Sequence, residues 1–598
     1  MTTKPVNRID GRYLYYTFLA GGRKILQYQT EINSINVFPV NDKDTGTNLA
    51  STVRAVIDNI KPNKSFTITA GNIAEAALIG ARGNSGVIFA QFLNGVSIET
   101  HDKISISLTE FAEIIKKSVK YIYEAVAEPV EGTMLTVIKD WAEYIYSKKE
   151  AANDFKQVVI DSFEIIKNSL LETKQKLKIL RQSNVVDAGA KGFVVFIEGI
   201  IDFILNRDIR VLLADTIQTI SVVHSDDFTH QNIKYRFCTE ALIKDYKLDN
   251  LTTQLILHRY GDSAVVAGNE KNTRIHIHTN SPAALFHELK NFGKITSQKV
   301  DDMVRQNEVV MNRKWKIALV TDSTCDLSQE LLDFYQIHVV PININFGESH
   351  YLDKVTITPN QFYDLLDTSP DFPKTSQINE RTFTNLYSHL ASHYDAVLAI
   401  HLTGQFSGTM LCSQKAAEKI SKEFNKPVVV IDSKNLSGAL GLLVLRAAQE
   451  IEKGVPLDEL KNSVEHWIQQ TKIFVSVKNL KYMVRGGRVS KQRGFIADLL
   501  NIKPIVSMDE NGKSLLIGKA FSQKANMKKV INLIRKMVLN QNIWNYIVLH
   551  AHNEKGAQEY ALKLEKLSGK KPVSIVNISP VIGMNAGIGT TAVSFMLE

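Results

Sequence analysis

The stretch Asn36-Val37-Phe38-Pro39-Val40-Asn41-Asp42-Lys43-Asp44-Thr45-Gly46-Thr47-Asn48 decides how the first third of the chain is read. Two carboxylates, Asp42 and Asp44, stand at i and i+2 on a turn rich in Asn, Gly and Thr, a pattern unsuited to a packed core. Such a pair can converge on a hard divalent cation, because Mg²⁺ takes oxygen ligands and shares them with substrate phosphates. Thr45, Thr47 and Asn48 add short polar groups where the apolar-periodic segment 49–60 begins, and the positive end of a helix favours phosphate. The competing reading is plain capping, with Asp and Thr accepting from free backbone N–H groups.

Working outward, three more polar insertions interrupt apolar segments of helical period. The first is Gly80-Ala81-Arg82-Gly83-Asn84-Ser85-Gly86. Its glycines either let backbone N–H groups approach an anion or serve a close helix crossing. The second is Glu131-Gly132-Thr133-Met134-Leu135, and the third runs from Asn184 through Asp187 to Gly192. Between them the period predicts helices at 14–32, 49–60, 71–97, 108–126, 133–148, 153–177 and 190–205. An all-α bundle with glycine loops at one end follows. No G-x-x-x-x-G-K-[ST] occurs, which excludes a P-loop enzyme.

Together these four loops resemble the dihydroxyacetone-kinase-like DhaL (DAK2) family, in the subgroup that forms the kinase subunit of bacterial fatty acid kinase. The resemblance implies a helical barrel in which Asp42 and Asp44 hold Mg²⁺. Thr45, Thr47, Asn48, Gly83, Asn84, Ser85 and Gly86 would then meet ATP, with Thr133 and Asp187 near the nucleotide. The family's Pro-Asp-Gly-Asp reads Asn41-Asp42-Lys43-Asp44 here. Lys43 either reaches a phosphate or weakens the cation site by repulsion.

From about residue 213 the period shifts to strands at 235–242, 264–267 and 273–279, with helices at 248–258 and 282–291: a small α/β domain. In Arg274-Ile275-His276-Ile277-His278 both imidazoles fall on one strand face. Cys238 on a neighbouring strand would complete a Cys-His-His set suited to Zn²⁺ with an open fourth position. The other reading makes the histidines a polar strand face and Cys238 core. Phe237-Cys238-Thr239-Glu240, Gly261-Asp262-Ser263 and Ile275-His276-Ile277-His278-Thr279 resemble the motifs of that kinase's middle domain. The resemblance implies zinc on Cys238, His276 and His278, or a part for both histidines in phosphoryl handling.

The last part, from about 314, alternates apolar strands with helices: 316–322, 396–400, 428–431 and 546–550. This argues for α/β with parallel strands whose carboxyl ends build a site. The turns Thr375-Ser376-Gln377 and Thr403-Gly404-Gln405-Phe406-Ser407-Gly408-Thr409 would meet there, with Arg485-Gly486-Gly487-Arg488 bringing a cation. Hydroxyls plus an arginine suit a carboxylate or an acyl phosphate; capping is the ordinary alternative for any one turn. The set resembles the DegV fatty-acid-binding family, a fold of two lobes. By that resemblance Thr375 and Ser407 bind a fatty acid carboxylate and Arg488 the phosphoryl group, with Ser376, Gly408 and Thr409 beside them. Asn585 stands where the family has a histidine.

Length and composition agree. A chain of 598 residues suggests about three to five domains, divided here as 1–212, 213–313 and 314–598. With 44% hydrophobic and 22% charged residues the composition is that of a globular protein. No apolar run reaches bilayer length, and the N-terminus lacks the apolar core of a signal peptide. Three scattered cysteines fit a reducing, cytoplasmic setting. The net charge of +9 is spread without an aromatic-interleaved basic patch, which disfavours nucleic acid. The expectation is a multidomain fatty acid kinase in one chain, using ATP, Mg²⁺ and Zn²⁺ to make an acyl phosphate for phospholipid metabolism. Its expected partners are the fatty acid, an acyl-phosphate acyltransferase at the membrane and a second copy of the chain. The alternative from another class is a lipid carrier or regulator with a degenerate nucleotide site.

Overall fold

The structure, a computed structural model, describes residues 5–38, 43–152, 154–206, 233–478, 481–486, 502–539 and 541–598. Asp42 and Arg488, both singled out in the sequence, lie outside the described residues. The chain divides into two compact units, Met1–Gln306 and Asn307–Glu598. Among the described residues no helix is long and apolar enough to cross a membrane.

The first unit is mainly helical; the region expected to be all-α also holds a two-stranded antiparallel sheet, Arg8–Asp10 with Ser105–Ser107. Ser107 and Glu110 form a capping box at Leu108–Ala125, satisfying two otherwise free N–H groups reciprocally. Phe66–Gly80 and Gly83–Glu99 are apolar nearly all round and lie in the core, as helices without a polar face must. The single helix expected over 71–97 is two, because Ala81 and Arg82 take extended backbone between them. Phe89, Phe193, Phe196 and Trp141 pack edge to face at the centre, with centroids 5.0–5.6 Å apart for Phe89–Phe196 and Trp141–Phe193. That arrangement places each ring's positive edge on its neighbour's negative face.

A four-stranded antiparallel sheet follows, in the order Gly261–Asn269, Asn272–Thr279, Phe237–Lys244, Lys294–Asp302. The last strand was not expected, since KITSQKVDD has only two apolar residues to mark a period. Alternation gives the sheet two unlike faces. Ala241, Ile243, Ile275 and Ile277 pack on Asn250–His258 and Pro282–Leu289. Cys238, Glu240, His276, His278, Lys299 and Asp301 share the other face by register. The sheet's edge strand is pinned to the helical part: Ala127 N–H donates to Ala264 C=O at 3.1 Å and Gly268 N–H to Gln91 Oε1 at 2.8 Å.

The second unit is α/β with two principal sheets. One is wholly parallel, ordered Val428–Asp432, Ala396–His401, Ile317–Asp322, His338–Val340. The strand expected to extend this parallel theme, 546–550, does so on one side only. Ile543–His550 sits in a six-stranded sheet, parallel to Ile575–Asn577 and antiparallel to Thr591–Leu597. A strand buried on both faces is uniformly apolar whichever way it runs, so its direction is not written in it. The helix Ser437–Glu452 is buried along most of its length, and a Cβ on Gly438 would come 2.9 Å from Leu549 Cδ1.

Candidate functional site

In the first unit, four helix N-termini meet: Thr45–Asn59, Gly83–Glu99, Met134–Ser147 and Ala188–Asn206. The contacts are close. Gly83 has φ +56°, and a Cβ there would stand 2.3 Å from Asn48 Nδ2, so only glycine fits. A Cβ on Gly189 would fall within 3.4 Å of Ser85 Oγ, Asp187 Oδ1 and Met134 Cε. Thr133 caps its helix by accepting from Leu135 N–H, and Asp187 accepts from Ala190 N–H at 2.7 Å. Burial pushes the Asp187 carboxyl up to about 6, against the Ala190 and Met134 amides that favour its charge. Both capping and glycine-crossing readings therefore hold. Yet four converging N-termini also concentrate positive potential at one point, and Asn84 Oδ1 is buried there with no hydrogen-bond partner among the described residues.

Asp44 stands at the N-cap of Thr45–Asn59 without capping it through its side chain. Its charge is felt by Lys299 and Cys238 on the sheet, so the turn and the polar sheet face adjoin. Thr47 turns elsewhere: its hydroxyl accepts from Gln29 Nε2 at 3.1 Å and Asn33 Nδ2 at 3.0 Å. Lys43 holds φ +52°, the left-handed region that favours glycine.

On the sheet face, ligand atoms of Cys238, His276 and His278 all lie within 4.8 Å of one another. One thiol and two imidazoles are zinc's preferred donors, and His276 Nε2 is buried without a partner among the described residues. The set therefore fits such an ion. Burial, reinforced by His276, drives His278 down to about 3 and leaves it a neutral imidazole. Burial, Glu240 and Asp301 together push the Cys238 thiol up. His278 Nδ1 lies 3.8 Å from Asp262 Oδ1.

Glu240 and Arg274, which the sequence offered only as neighbours of the candidate ligands, form a buried ion pair at 2.8 Å, each side chain 1% exposed. Burial works against the Glu240 charge, but His276, Arg274, Lys299 and Arg82 hold its carboxyl well below the usual range. Lys299 pairs with Asp301; burial opposes its charge too, and Asp301 and Glu240 outweigh that. The i, i+2 alternation from Cys238 and His276 was the signal available for Glu240 and Arg274.

The second unit holds a partly open cavity of about 360 Å³, within the ordinary range for ligand pockets. Ile342, Leu402, Leu436, Ile473, Val475 and Val506 form apolar wall; Thr375, Ser376, Gln377, Ser407, Gly408 and Asn585 supply its polar part. Thr409 is not on the wall but buried behind it, its hydroxyl 2.9 Å from that of Ser407. Ser507, Ser514 and Met483 line the cavity and were not anticipated. Asn585 Oδ1 is buried without a partner among the described residues, and a Cβ on Gly486 would strike it at 1.9 Å.

Residues 39–202 match the DAK2 domain, 234–310 the FakA-like middle domain of fatty acid kinase, and 316–598 the DegV family. Protein YloV of Bacillus subtilis is 29% identical over 325 residues, 52% of this chain and 59% of its own length. An uncharacterized Staphylococcus haemolyticus protein is 30% identical over 322 residues, 52% of this chain and 58% of its own. The chain thus spans a little over half the length of these relatives. Among solved structures, a DegV family protein from Thermus thermophilus, described by its fatty acid binding, is 28% identical. It aligns over 100% of its chain and 47% of this one, with a TM-score of 0.44. Bacillus subtilis DegV, described as a fatty acid binding protein, is 26% identical over 100% of its chain and 48% of this one, TM-score 0.43.

Proposed function

We propose, for a chain that joins a DAK2 domain, a FakA-like middle domain and a DegV domain, that it phosphorylates a fatty acid carboxylate with ATP to give an acyl phosphate. The observation that carries this reading is the succession of those three segments in one polypeptide, with an anion-favouring cluster of helix ends in the first and an apolar cavity with a hydroxylated wall in the last. The cavity's apolar wall would take the acyl chain, at about 0.8 kcal/mol per buried CH₂. Thr375 and Ser407 would hydrogen-bond the carboxylate, while Asn585 offers an amide where the family has an imidazole.

Phosphoryl transfer asks mostly for positioning and charge neutralisation. Asp42 and Asp44 would hold Mg²⁺, which supplies charge neutralisation to the phosphates. Asn48, Asn84 and Ser85 would direct donors at the nucleotide from the helix ends, whereas the Gly86 N–H is taken up by Arg82 C=O at 3.1 Å. Cys238, His276 and His278 would hold Zn²⁺, a further fixed positive charge on the sheet face. Arg488 would be the cation for the phosphoryl group, as the family resemblance implies. A mixed anhydride product requires an acyltransferase to consume it.

The test is to incubate the full chain with MgATP and assorted fatty acids and trap acyl phosphate with hydroxylamine. Hydroxamate formation dependent on both substrates is expected. A second reading, a lipid carrier with a degenerate nucleotide site, draws on Lys43 at a glycine-favouring φ and on Asn585. Bound lipid without any hydroxamate would favour it.

A further inference from the structure

The glycine loop and the imidazole-bearing strand are joined through one carboxylate. Glu240 Oε1 accepts the Gly83 N–H at 2.5 Å. Its Oε2 accepts from Arg274 Nη2 at 2.8 Å and Arg82 Nη1 at 3.3 Å. The His276 ring stands beside it, Nδ1 lying 3.7 Å from Glu240 Oε1 and 3.9 Å from Cys238 Sγ.

We propose that Glu240 is a positioning residue that couples the Cys238–His276–His278 centre to nucleotide affinity at the Arg82–Gly86 loop. This rests on the proposed nucleotide and zinc assignments and adds a linkage between them.

Three features carry the coupling. First, the helix Gly83–Glu99 has no side-chain cap from its own N-cap residue, Arg82. The free amide is satisfied instead by a carboxylate 157 residues away on another element, so the loop takes its position from the sheet. Second, Glu240 is not a swinging gate. Arg274 beneath it is equally buried, and its Nε already lacks a partner among the described residues; withdrawing the carboxylate would leave a buried guanidinium uncompensated. Third, the loop has no slack. Gly83 at φ +56° abuts Asn48, and Gly86 abuts Thr52, so a shift in Glu240 is passed on to the amides of Asn84 and Ser85. On the other side, Cys238 and His276 would hold the ion with the His276 ring beside Glu240, and carboxylates near a ligating histidine orient it and tune the metal.

The experiment compares the wild-type chain, zinc-loaded and stripped with dipicolinate, with the same two states of Glu240→Gln. MgATP affinity is measured by calorimetry, and zinc by elemental analysis. In the wild type, stripping weakens MgATP binding about tenfold, and by linkage MgATP tightens zinc by the same factor. In Glu240→Gln both states bind MgATP weakly and alike. A role confined to fold stability would lower the melting temperature while leaving the tenfold coupling intact. Equal MgATP affinity in the two wild-type states, or coupling that survives in Glu240→Gln, overturns the proposal. A wild-type chain that takes up no zinc or no nucleotide overturns the underlying assignments as well, which separates the two failures. Should Glu240→Gln not fold, Arg82→Gln loosens the loop from its partly exposed side and is expected to reduce the coupling severalfold; undiminished coupling there also overturns the idea.

Discussion

The hydroxyl oxygens of Ser407 and Thr409 lie 2.9 Å apart, one on the wall of the apolar cavity and the other fully buried behind it. Thr409 N–H also donates to Ser407 Oγ at 3.2 Å, and Ile378 N–H to Thr409 Oγ1 at 3.4 Å. The wall hydroxyl is thus oriented before any ligand arrives. Ser407→Ala is expected to weaken fatty acid binding about 10–100-fold, since a hydrogen bond to a charged group contributes roughly 1.5–3 kcal/mol. Thr409→Val should weaken it less and also lower stability, because the Ile378 amide loses an acceptor. Displacement of a fluorescent fatty acid from each full-length variant measures both. Wild-type affinity in both would move the carboxylate away from this wall.

The turn at Asp44 predicts a separation of functions. Asp44→Asn should lower hydroxamate formation by at least about a hundredfold while fatty acid affinity stays at the wild-type value, because the two groups lie in different units. Full turnover in Asp44→Asn would remove the cation from this turn.

Lys43 tests the same turn through its backbone. A non-glycine residue in the left-handed region costs roughly 1–2 kcal/mol, part of which glycine returns through its freer unfolded chain. Lys43→Gly should therefore raise the melting temperature of the first unit by about 2 °C, whereas Lys43→Ala, which keeps a Cβ, should not. Calorimetry on both variants decides; an equal rise in both would mean that charge, not φ, is being relieved.

What the sequence disclosed follows from how far each signal reaches along the chain. Cys238, His276 and His278 were legible because period-two alternation is local, and the register Cys238–His278 and Glu240–His276 places them on one face. Glu240 shares that alternation, but besides Arg274 its partners are Arg82 and Gly83, far off in sequence, and nothing near Glu240 names them. Lys299 and Asp301 were hidden because their strand, Lys294–Asp302, is polar on the side that builds the site. The mixed pairing of Ile543–His550, parallel to one neighbour and antiparallel to the other, was hidden for the opposite reason, the strand being apolar throughout its buried part. Thr409 read as a ligand-facing hydroxyl because a turn motif gives residue types and leaves out which of them points inward.

Asp353 contributes a pH-dependent part of the second unit's stability. It is fully buried, accepts from Ser323 Oγ at 2.6 Å, and lies by the Val581 amide on the segment that lines the cavity. Burial pushes its carboxyl up to about 7, against Lys354, from an ordinary value of 3.8. The sign follows: between those values the folded protein binds a proton that the unfolded chain releases. The stability Asp353 contributes is therefore complete below about pH 4 and is lost as pH rises through about 7. One pKa unit corresponds to about 1.4 kcal/mol, so the loss amounts to a few kcal/mol at most. Asp353→Asn cannot ionise and should remove that part of the slope. Urea unfolding of wild type and variant between pH 5 and 8 measures it: the variant should gain on the wild type steadily as pH rises, with the difference levelling off above about pH 8. A constant difference across the range would mean that Asp353 keeps the same protonation state throughout.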